Sequence, residues 1–124
     1  MSLILIVEDN ERNLKLVRDV LQVKGFKTIE AGTAELGIEL AASSKPDLIL
    51  MDIQLPGMNG IDALKVLRAN PATAAIPVVA VTASVMQQDR TLITEAGFDG
   101  YIGKPINIKE FLQSVNNALA KKAS

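Results

Sequence analysis

Cysteine, histidine and tryptophan are all absent from this chain of 124 residues. Without cysteine there are no disulfides, thiolate nucleophiles or zinc–thiolate sites, and without histidine the commonest general base is missing. Aromatic residues make up only 3% of the sequence, so the core must be aliphatic and few side chains can stack on bases or flavins. Any chemistry must therefore come from carboxylates, lysine, hydroxyl groups or the backbone.

Neither sign of charge predominates, and long apolar runs are lacking. The 13 basic and 14 acidic residues give a formal net charge of -1, which is not typical of a nucleic-acid-binding domain. No run approaches the roughly 18 apolar residues of a membrane span, and Glu8 and Asp9 interrupt the first apolar segment too early for a signal peptide. We expect a soluble cytoplasmic protein with a single domain over residues 1–124, since this length is common for one domain.

Short apolar runs rich in valine and isoleucine alternate with helical patterns along the whole chain. Five such runs are predicted to be strands: 3–7, 26–29, 48–51, 78–81 and 101–102. Apolar runs without polar alternation are typical of parallel strands that are buried on both faces. Five helices are predicted to follow them, beginning near Asn10, Thr33, Asn59, Val85 and Ile108. This order predicts an α/β fold with a doubly wound parallel sheet.

Charged or hydroxyl side chains follow four of the five predicted strands. They are Glu8 and Asp9 after the first strand, Asp52 after the third, Thr82 after the fourth and Lys104 after the fifth. Ligands of open parallel sheets bind beyond the carboxyl ends of the strands, and strands about 4.8 Å apart allow such side chains to converge. Each residue alone has an ordinary explanation, as a helix cap, a strand-end hydroxyl or a solvated lysine. Their combination at one edge favours a functional site.

Three neighbouring carboxylates favour a bound cation, because without one they repel each other and some take up protons. Magnesium prefers oxygen ligands and keeps several waters, so one or two direct carboxylates suffice. Calcium would require more ligands, and zinc is usually bound by histidine or cysteine. A magnesium ion beside Asp52, with Thr82 and Lys104 opposite, suits phosphoryl transfer to the aspartate.

Four segments resemble response-regulator receiver domains in sequence and in order. They are ILIVEDN at 4–10, PDLILMDIQLPGMNG at 46–60, PVVAVTA at 77–83 and YIGKP at 101–105. The resemblance covers the whole chain and implies a CheY-like, flavodoxin-like sheet of strand order 2-1-3-4-5 with five helices. Within the family, the first two segments are similar to small cell-cycle and polar-differentiation regulators of the DivK type, and to receivers attached to hybrid kinases.

The resemblance implies roles for the acidic residues. Asp52 would be the phosphoacceptor of a two-component phosphorelay. Asp9 and Asp52 would bind magnesium directly, and Glu8 would bind it through water. The backbone carbonyl of Gln54 would be a further ligand.

The resemblance also implies a switch. Thr82 and Lys104 would contact the phosphoryl group, and the peptide bond between Lys104 and Pro105 would be cis. Tyr101 would be the aromatic switch, although its spacing alone favours an ordinary half-buried strand residue. Because the chain has no histidine, the donor would be a sensor histidine kinase or a histidine phosphotransfer protein. The output would be protein contacts of the fourth helix, fifth strand and fifth helix, about 85–111.

Particular residues argue against other functions. A magnesium-dependent aspartyl phosphatase needs a second aspartate two residues after the nucleophile, where this chain has Gln54. A flavodoxin-type FMN carrier needs a phosphate-binding loop after the first strand, where Glu8 and Asp9 would repel phosphate. A receiver used only for docking would not need the acidic cluster. A receiver cut from a hybrid kinase or a larger regulator remains an alternative. We expect a phosphoacceptor switch with self-catalysed phosphotransfer and dephosphorylation only, rather than an enzyme.

Overall fold

The structure is a computed structural model that describes residues 2–55, 57–82, 91, 93 and 95–123, with the backbone alone for 121–123. Its strands are β1 (Leu3–Val7), β2 (Lys27–Ala31), β3 (Leu48–Asp52), β4 (Val78–Thr82) and β5 (Gly100–Gly103). Its helices are α1 (Glu11–Val23), α2 (Ala34–Ser44), α3 (Gly60–Ala69) and the C-terminal helix (Ile108–Ala123). The fourth predicted helix, about 85–96, falls largely outside the described residues.

The five strands form one parallel sheet in the order β2-β1-β3-β4-β5. The predicted doubly wound architecture and strand order are therefore confirmed. The central strands β1, β3 and β4 are buried almost throughout, as their uninterrupted apolar runs predict. The edge strand β2 is only partly buried and runs two residues beyond the predicted 26–29. Its polar residues, which an edge position tolerates, weakened the sequence signal.

Alternating residues of the central strands enter two apolar layers, one on each face of the sheet. Leu5 and Val7 of β1 belong to the layer that α2 and α3 cover. Ile4 and Ile6 belong to the opposite layer, which contains buried residues of α1 and the fully buried Phe111 of the C-terminal helix. Burial on both faces holds the sheet in one register, so the ends of the strands are fixed relative to each other.

Side-chain caps fix where three helices begin. The side chain of Asn10 accepts hydrogen bonds from the backbone N–H groups of Arg12 and Asn13 at the start of α1. Thr33 and Asn59 cap α2 and α3 in the same way, each accepting one backbone N–H. These caps satisfy donors that a helix N-terminus leaves unpaired. The predicted starts at Asn10, Thr33 and Asn59 are confirmed.

Arg68, near the end of α3, forms a hydrogen-bond network at the edge of the sheet where the strands begin, opposite the edge formed by their carboxyl ends. Its guanidinium donates to the carbonyl oxygens of Ala74 (2.9 Å) and Ile76 (2.6 Å) and to Oδ2 of Asp99 (2.9 Å). The same carboxylate oxygen accepts the backbone N–H of Val78 at 2.8 Å. This network fixes the beginnings of β4 and β5, far from the residues that follow the strands.

Within the described part of the chain, no helix has the length and apolar character needed to cross a bilayer.

Candidate functional site

The strand-end residues predicted from the sequence meet at the carboxyl edge of the sheet. Glu8 and Asp9 directly follow β1, Asp52 is the last residue of β3, and Thr82 is the last residue of β4. Lys104 follows β5, and its backbone N–H donates to the carbonyl oxygen of Thr82 at 2.8 Å. Because β1, β3, β4 and β5 are consecutive in the sheet, their ends form one continuous site.

Three carboxylates form the centre of this site. One oxygen atom each from Glu8, Asp9 and Asp52 lies within 4.8 Å of the other two. Glu8 and Asp52 are only 5% and 2% exposed, whereas Asp9 is exposed to solvent. The donor set is made of hard carboxylate oxygens that open to water on one side, which fits magnesium and its retained waters. The residues present therefore suit the ion that the sequence predicts.

Lys104 contacts both buried carboxylates. Its Nζ atom lies 2.9 Å from Oε1 of Glu8 and 3.0 Å from Oδ2 of Asp52. The lysine side chain is 17% exposed, so it is not a solvated surface lysine. Sequence reasoning placed this ammonium opposite the acids but did not predict its contact with Glu8. The ammonium therefore neutralises part of the negative charge that burial brings together.

Backbone N–H groups orient the second oxygen of each buried carboxylate. Oδ1 of Asp52 accepts the N–H of Gln54 at 2.9 Å, and Oε2 of Glu8 accepts the N–H of Asn10 at 3.2 Å. Each carboxylate is therefore held by a backbone donor and by Lys104. Sequence reasoning assigned only the carbonyl of Gln54 and gave Asn10 only a capping role. A short polar side chain often accepts the backbone N–H of the residue two positions later. This local motif is the sequence signal from which both contacts could have been predicted.

The pKa values follow from this crowding. Burial, with the hydrogen bond to Asp52, raises the pKa of Glu8 from 4.5 to about 7. Burial also acts to raise the pKa of Asp52, but hydrogen bonds from Glu8, Gln54 and Lys104 outweigh it and hold this pKa below its ordinary value. Burial acts to lower the pKa of Lys104, but its bonds to Glu8 and Asp52 outweigh burial and hold this pKa above its ordinary value. Of the two buried carboxylates, Glu8 is therefore the one that takes up a proton, while Asp52 stays ionised.

Thr82 and Tyr101 lie on the β4–β5 side of the site. Thr82 is 2% exposed, and Gly103 is its partner across the β4–β5 ladder. Tyr101 is half-buried, packs against the apolar layer of α2 and α3, and lines a cavity of about 410 Å³ beside the C-terminal helix. The peptide bond between Lys104 and Pro105 is cis.

Comparisons with known proteins agree with this geometry. Residues 4–116 match the family model of the response regulator receiver domain. The polar-differentiation response regulator DivK of Brucella anthropi is 41% identical over 116 residues, which are 94% of this chain and 94% of the relative. The similarity to small regulators of the DivK type that the sequence suggested is confirmed.

Two solved receiver structures share the fold. A CheY-like receiver domain protein from Methanospirillum hungatei JF-1 has a TM-score of 0.89 and 27% identity, over 99% of this chain and 97% of that one. The receiver domain of a sensor histidine kinase from Pseudomonas aeruginosa PAO1 has a TM-score of 0.88 and 28% identity, over 96% and 98%. That structure is described with a magnesium ion coordinated in the active-site cleft.

A family match over most of the chain and a relative of 41% identity support the same interpretation as the acidic site. They favour a receiver over the phosphatase and the FMN carrier. The chain belongs to the response regulator receiver domain family, whose members are signalling switches of two-component systems.

Proposed function

We propose that Asp52 is the phosphoacceptor of this receiver and that a phosphohistidine on a sensor histidine kinase or a phosphotransfer protein is the donor. One observation carries the proposal. Carboxylate oxygens of Glu8, Asp9 and Asp52 lie within 4.8 Å of one another, and the ammonium of Lys104 contacts the two buried ones. Family resemblance supports Asp52 as the acceptor, and its lowered pKa keeps it in the ionised form that can attack phosphorus.

In the proposed step, a carboxylate oxygen of Asp52 attacks the phosphorus atom of the donor and forms a new P–O bond. The P–N bond to the imidazole breaks, its electron pair remains on the imidazole nitrogen, and that nitrogen takes a proton from water. Lys104 lies 3.0 Å from Oδ2 of Asp52, so its charge is close to the incoming phosphoryl oxygens. This arrangement contributes through position and electrostatics, as is usual in phosphoryl transfer.

We further propose that Glu8, Asp9, Asp52 and the backbone carbonyl of Gln54 hold magnesium, with Glu8 acting through water. When bound, magnesium would offset negative charge on the acceptor and on the transferred group. The exposed Asp9 gives the cluster its opening to solvent, while the N–H of Gln54 keeps the carboxylate of Asp52 directed into the site.

The proposed switch uses Thr82, Lys104 and Tyr101. The hydroxyl of Thr82 and the ammonium of Lys104 would bind the phosphoryl group, and Tyr101 would change position with Thr82. The backbone bond from Lys104 to Thr82 connects the ends of β4 and β5, which supports coupling between them. The signal would leave through protein contacts of the face about 85–111, part of which lies outside the described residues. A shift from about 1:99 to about 99:1 between two states requires roughly 5.5 kcal/mol of preference.

We place the protein in the cytoplasm, where histidine kinases present their phosphohistidine, and propose that residues 1–124 form one receiver domain. Its chemistry would be self-catalysed phosphotransfer and dephosphorylation, without turnover of a separate substrate. A balanced charge, with 13 basic and 14 acidic residues, supports an output through protein contacts and not through nucleic acid. A receiver belonging to a larger regulator or hybrid kinase would have the same site.

The acceptor is tested by incubating the protein with acetyl phosphate and magnesium, followed by intact mass and peptide mapping. We expect a mass increase of one phosphoryl group, mapped to Asp52 and lost in Asp52→Asn. Asp62→Asn, an exposed carboxylate of the first turn of α3, is the matched control and should label normally. Labelling of Asp52→Asn at another residue would refute the acceptor.

The metal and lysine roles are tested by comparing Asp9→Ala with Lys104→Ala. Asp9→Ala should weaken magnesium binding, measured by calorimetry, more than Lys104→Ala does. Lys104→Ala should instead impair the conformational response to phosphorylation, measured by NMR shifts of β5 residues. Equal loss of magnesium affinity in both variants would contradict these roles.

A further inference from the structure

Gly60, the first residue of α3, lies in unusually close contact with the backbone that carries Asp52. A Cβ atom added at Gly60 would lie 2.6 Å from the carbonyl oxygen of Asp52 and 2.8 Å from Cα of Ile53. Both distances are below any ordinary carbon contact, and both involve backbone atoms that cannot rotate away. Glycine at this position therefore serves a close approach of two backbones.

The nearby Gly57 shows that this requirement is specific to Gly60. Gly57 has a φ of +77°, so it needs glycine for its conformation, but an added Cβ would meet no atom within 4 Å. Gly60 belongs to α3 and is not among the positive-φ glycines, and it needs glycine for space. The two residues are only three positions apart, Gly57 in the loop after β3 and Gly60 at the start of α3, yet each requires glycine for a different physical reason.

The contact at Gly60 is linked to the acceptor by a short chain of hydrogen bonds. The N–H of Gly60 donates to the carbonyl oxygen of Ile53 at 3.1 Å, and the N–H of Ile53 donates to the carbonyl oxygen of Val81 at 3.1 Å. The next N–H, that of Gln54, donates to Oδ1 of Asp52 at 2.9 Å. Residues 52–54 are therefore held between β4 and the first turn of α3.

We propose that Gly60 is a positioning residue for the acceptor site. By letting α3 pack directly against the backbone of Asp52 and Ile53, it fixes the direction of the Gln54 N–H, and through it the direction of the Asp52 carboxylate. An alanine at this position displaces residues 52–53 or the start of α3, and either movement lengthens the hydrogen bond between Gln54 and Asp52. This inference rests on the proposed role of Asp52.

The test compares Gly60→Ala with Leu64→Ala, a fully buried residue one turn later on the same helix. In the metal-free protein, the NMR shift and the hydrogen-exchange protection of the Gln54 amide report its bond to Asp52. Calorimetry reports magnesium affinity, and intact mass reports the rate of labelling by acetyl phosphate. All measurements use a temperature at which each variant is folded.

We expect Gly60→Ala to lose hydrogen-exchange protection at the Gln54 amide. Its rate of labelling by acetyl phosphate should fall roughly tenfold or more, because displacing a reacting group by about 1 Å has effects of that size or larger. Leu64→Ala should lower the melting temperature at least as much, yet keep the wild-type amide shift and the wild-type labelling rate. Wild-type amide protection and labelling in Gly60→Ala would overturn the proposal. So would equal losses at the Gln54 amide in Leu64→Ala.

A pair of cap variants extends the test if Gly60→Ala does not fold. Asn59→Ala removes the side chain that accepts the N–H of Asp62 and so loosens the start of α3, whereas Thr33→Ala removes the equivalent cap of α2. Only Asn59→Ala should weaken protection of the Gln54 amide and slow labelling. Identical behaviour of the two cap variants would overturn the role of Gly60. Absence of labelling in the wild-type protein would instead refute the proposed acceptor, and the amide measurement would still report on Gly60.

Discussion

The metal-free protein should lose stability as the pH rises from about 5 to about 8, and Glu8 should be the cause. Burial raises the folded-state pKa of Glu8 from 4.5 to about 7, so the folded protein binds a proton that the unfolded chain has already released. A group of this kind stabilises the fold below its unfolded pKa, and the contribution disappears as the pH passes its folded pKa. Linkage predicts a decrease of about 2–3 kcal/mol in the free energy of unfolding over this range.

The neighbouring groups do not produce the same signal in this range. The folded pKa of Asp52 is below 3.8, so its stabilising contribution is complete above that value and is lost only in more acidic solution. The folded pKa of Lys104 is above 10.5, so its contribution is present throughout and is lost only in more alkaline solution. The decrease between about pH 5 and about pH 8 can therefore be assigned to Glu8.

Urea unfolding at several pH values, followed by far-ultraviolet circular dichroism, measures the effect in a chain that lacks tryptophan. Glu8→Gln is the control and should flatten the profile, because its amide does not titrate. Saturating magnesium should reduce the decrease in the wild type, since a cation favours the ionised carboxylate. A flat profile in the wild-type protein, or an unchanged slope in Glu8→Gln, would refute the assignment.

Three further substitutions test the packing and charge of the site and of the opposite edge. Lys104→Met leaves two buried carboxylates without their shared ammonium, so the metal-free protein should lose about 3 kcal/mol, and magnesium should restore part of it. Arg68→Ala removes hydrogen bonds from a charged group at the opposite edge, and urea unfolding should show a loss of about 2–3 kcal/mol with unchanged magnesium affinity. Gly37→Ala places a Cβ atom 2.7 Å from a methyl group of Val7, so it should destabilise by about 1–3 kcal/mol.

Each of these variants has a control and an outcome that would contradict it. Lys109→Met, at an exposed position, should change stability little, and a loss equal to that of Lys104→Met would argue against the ion pairs. Reduced magnesium affinity in Arg68→Ala would show that the two edges are coupled. The double variant Val7→Ala with Gly37→Ala should lose less stability than the sum of the two single losses. A loss equal to that sum would exclude the contact with the Val7 methyl group as the cause.

The fold was predictable because its signals are local and repeated. The apolar runs of β1, β3 and β4 predict buried strands, and the capping residues Asn10, Thr33 and Asn59 indicate where three helices begin. The alternation of strands and helices then predicts a doubly wound sheet. Strand order came from family resemblance, because no local feature of the sequence shows which strands are neighbours.

The site was predictable in its members but not in its detailed contacts. That Glu8, Asp52 and Lys104 would meet follows from strand ends sharing one edge of the sheet. That the ammonium would lie at 2.9 Å and 3.0 Å from the two buried carboxylates depends on the exact position of the chain after β5. The close approach at Gly60 likewise depends on tertiary packing, since sequence shows a glycine but not which backbone lies against it.

The position of Lys104 relates the metal-free site to the proposed switch. Its ammonium contacts both Glu8 and Asp52 and neutralises part of their negative charge. On the proposed function, magnesium would take over part of that neutralisation, and a phosphoryl group on Asp52 would provide new negative oxygens for the ammonium. The backbone N–H of Lys104 donates to the carbonyl oxygen of Thr82, and Tyr101 lies three residues before Lys104, within β5. On the proposed function, a change of partner by the lysine side chain would therefore be transmitted to both proposed switch residues. The same lysine therefore stabilises the resting acidic cluster and connects it to the strand through which the signal would leave.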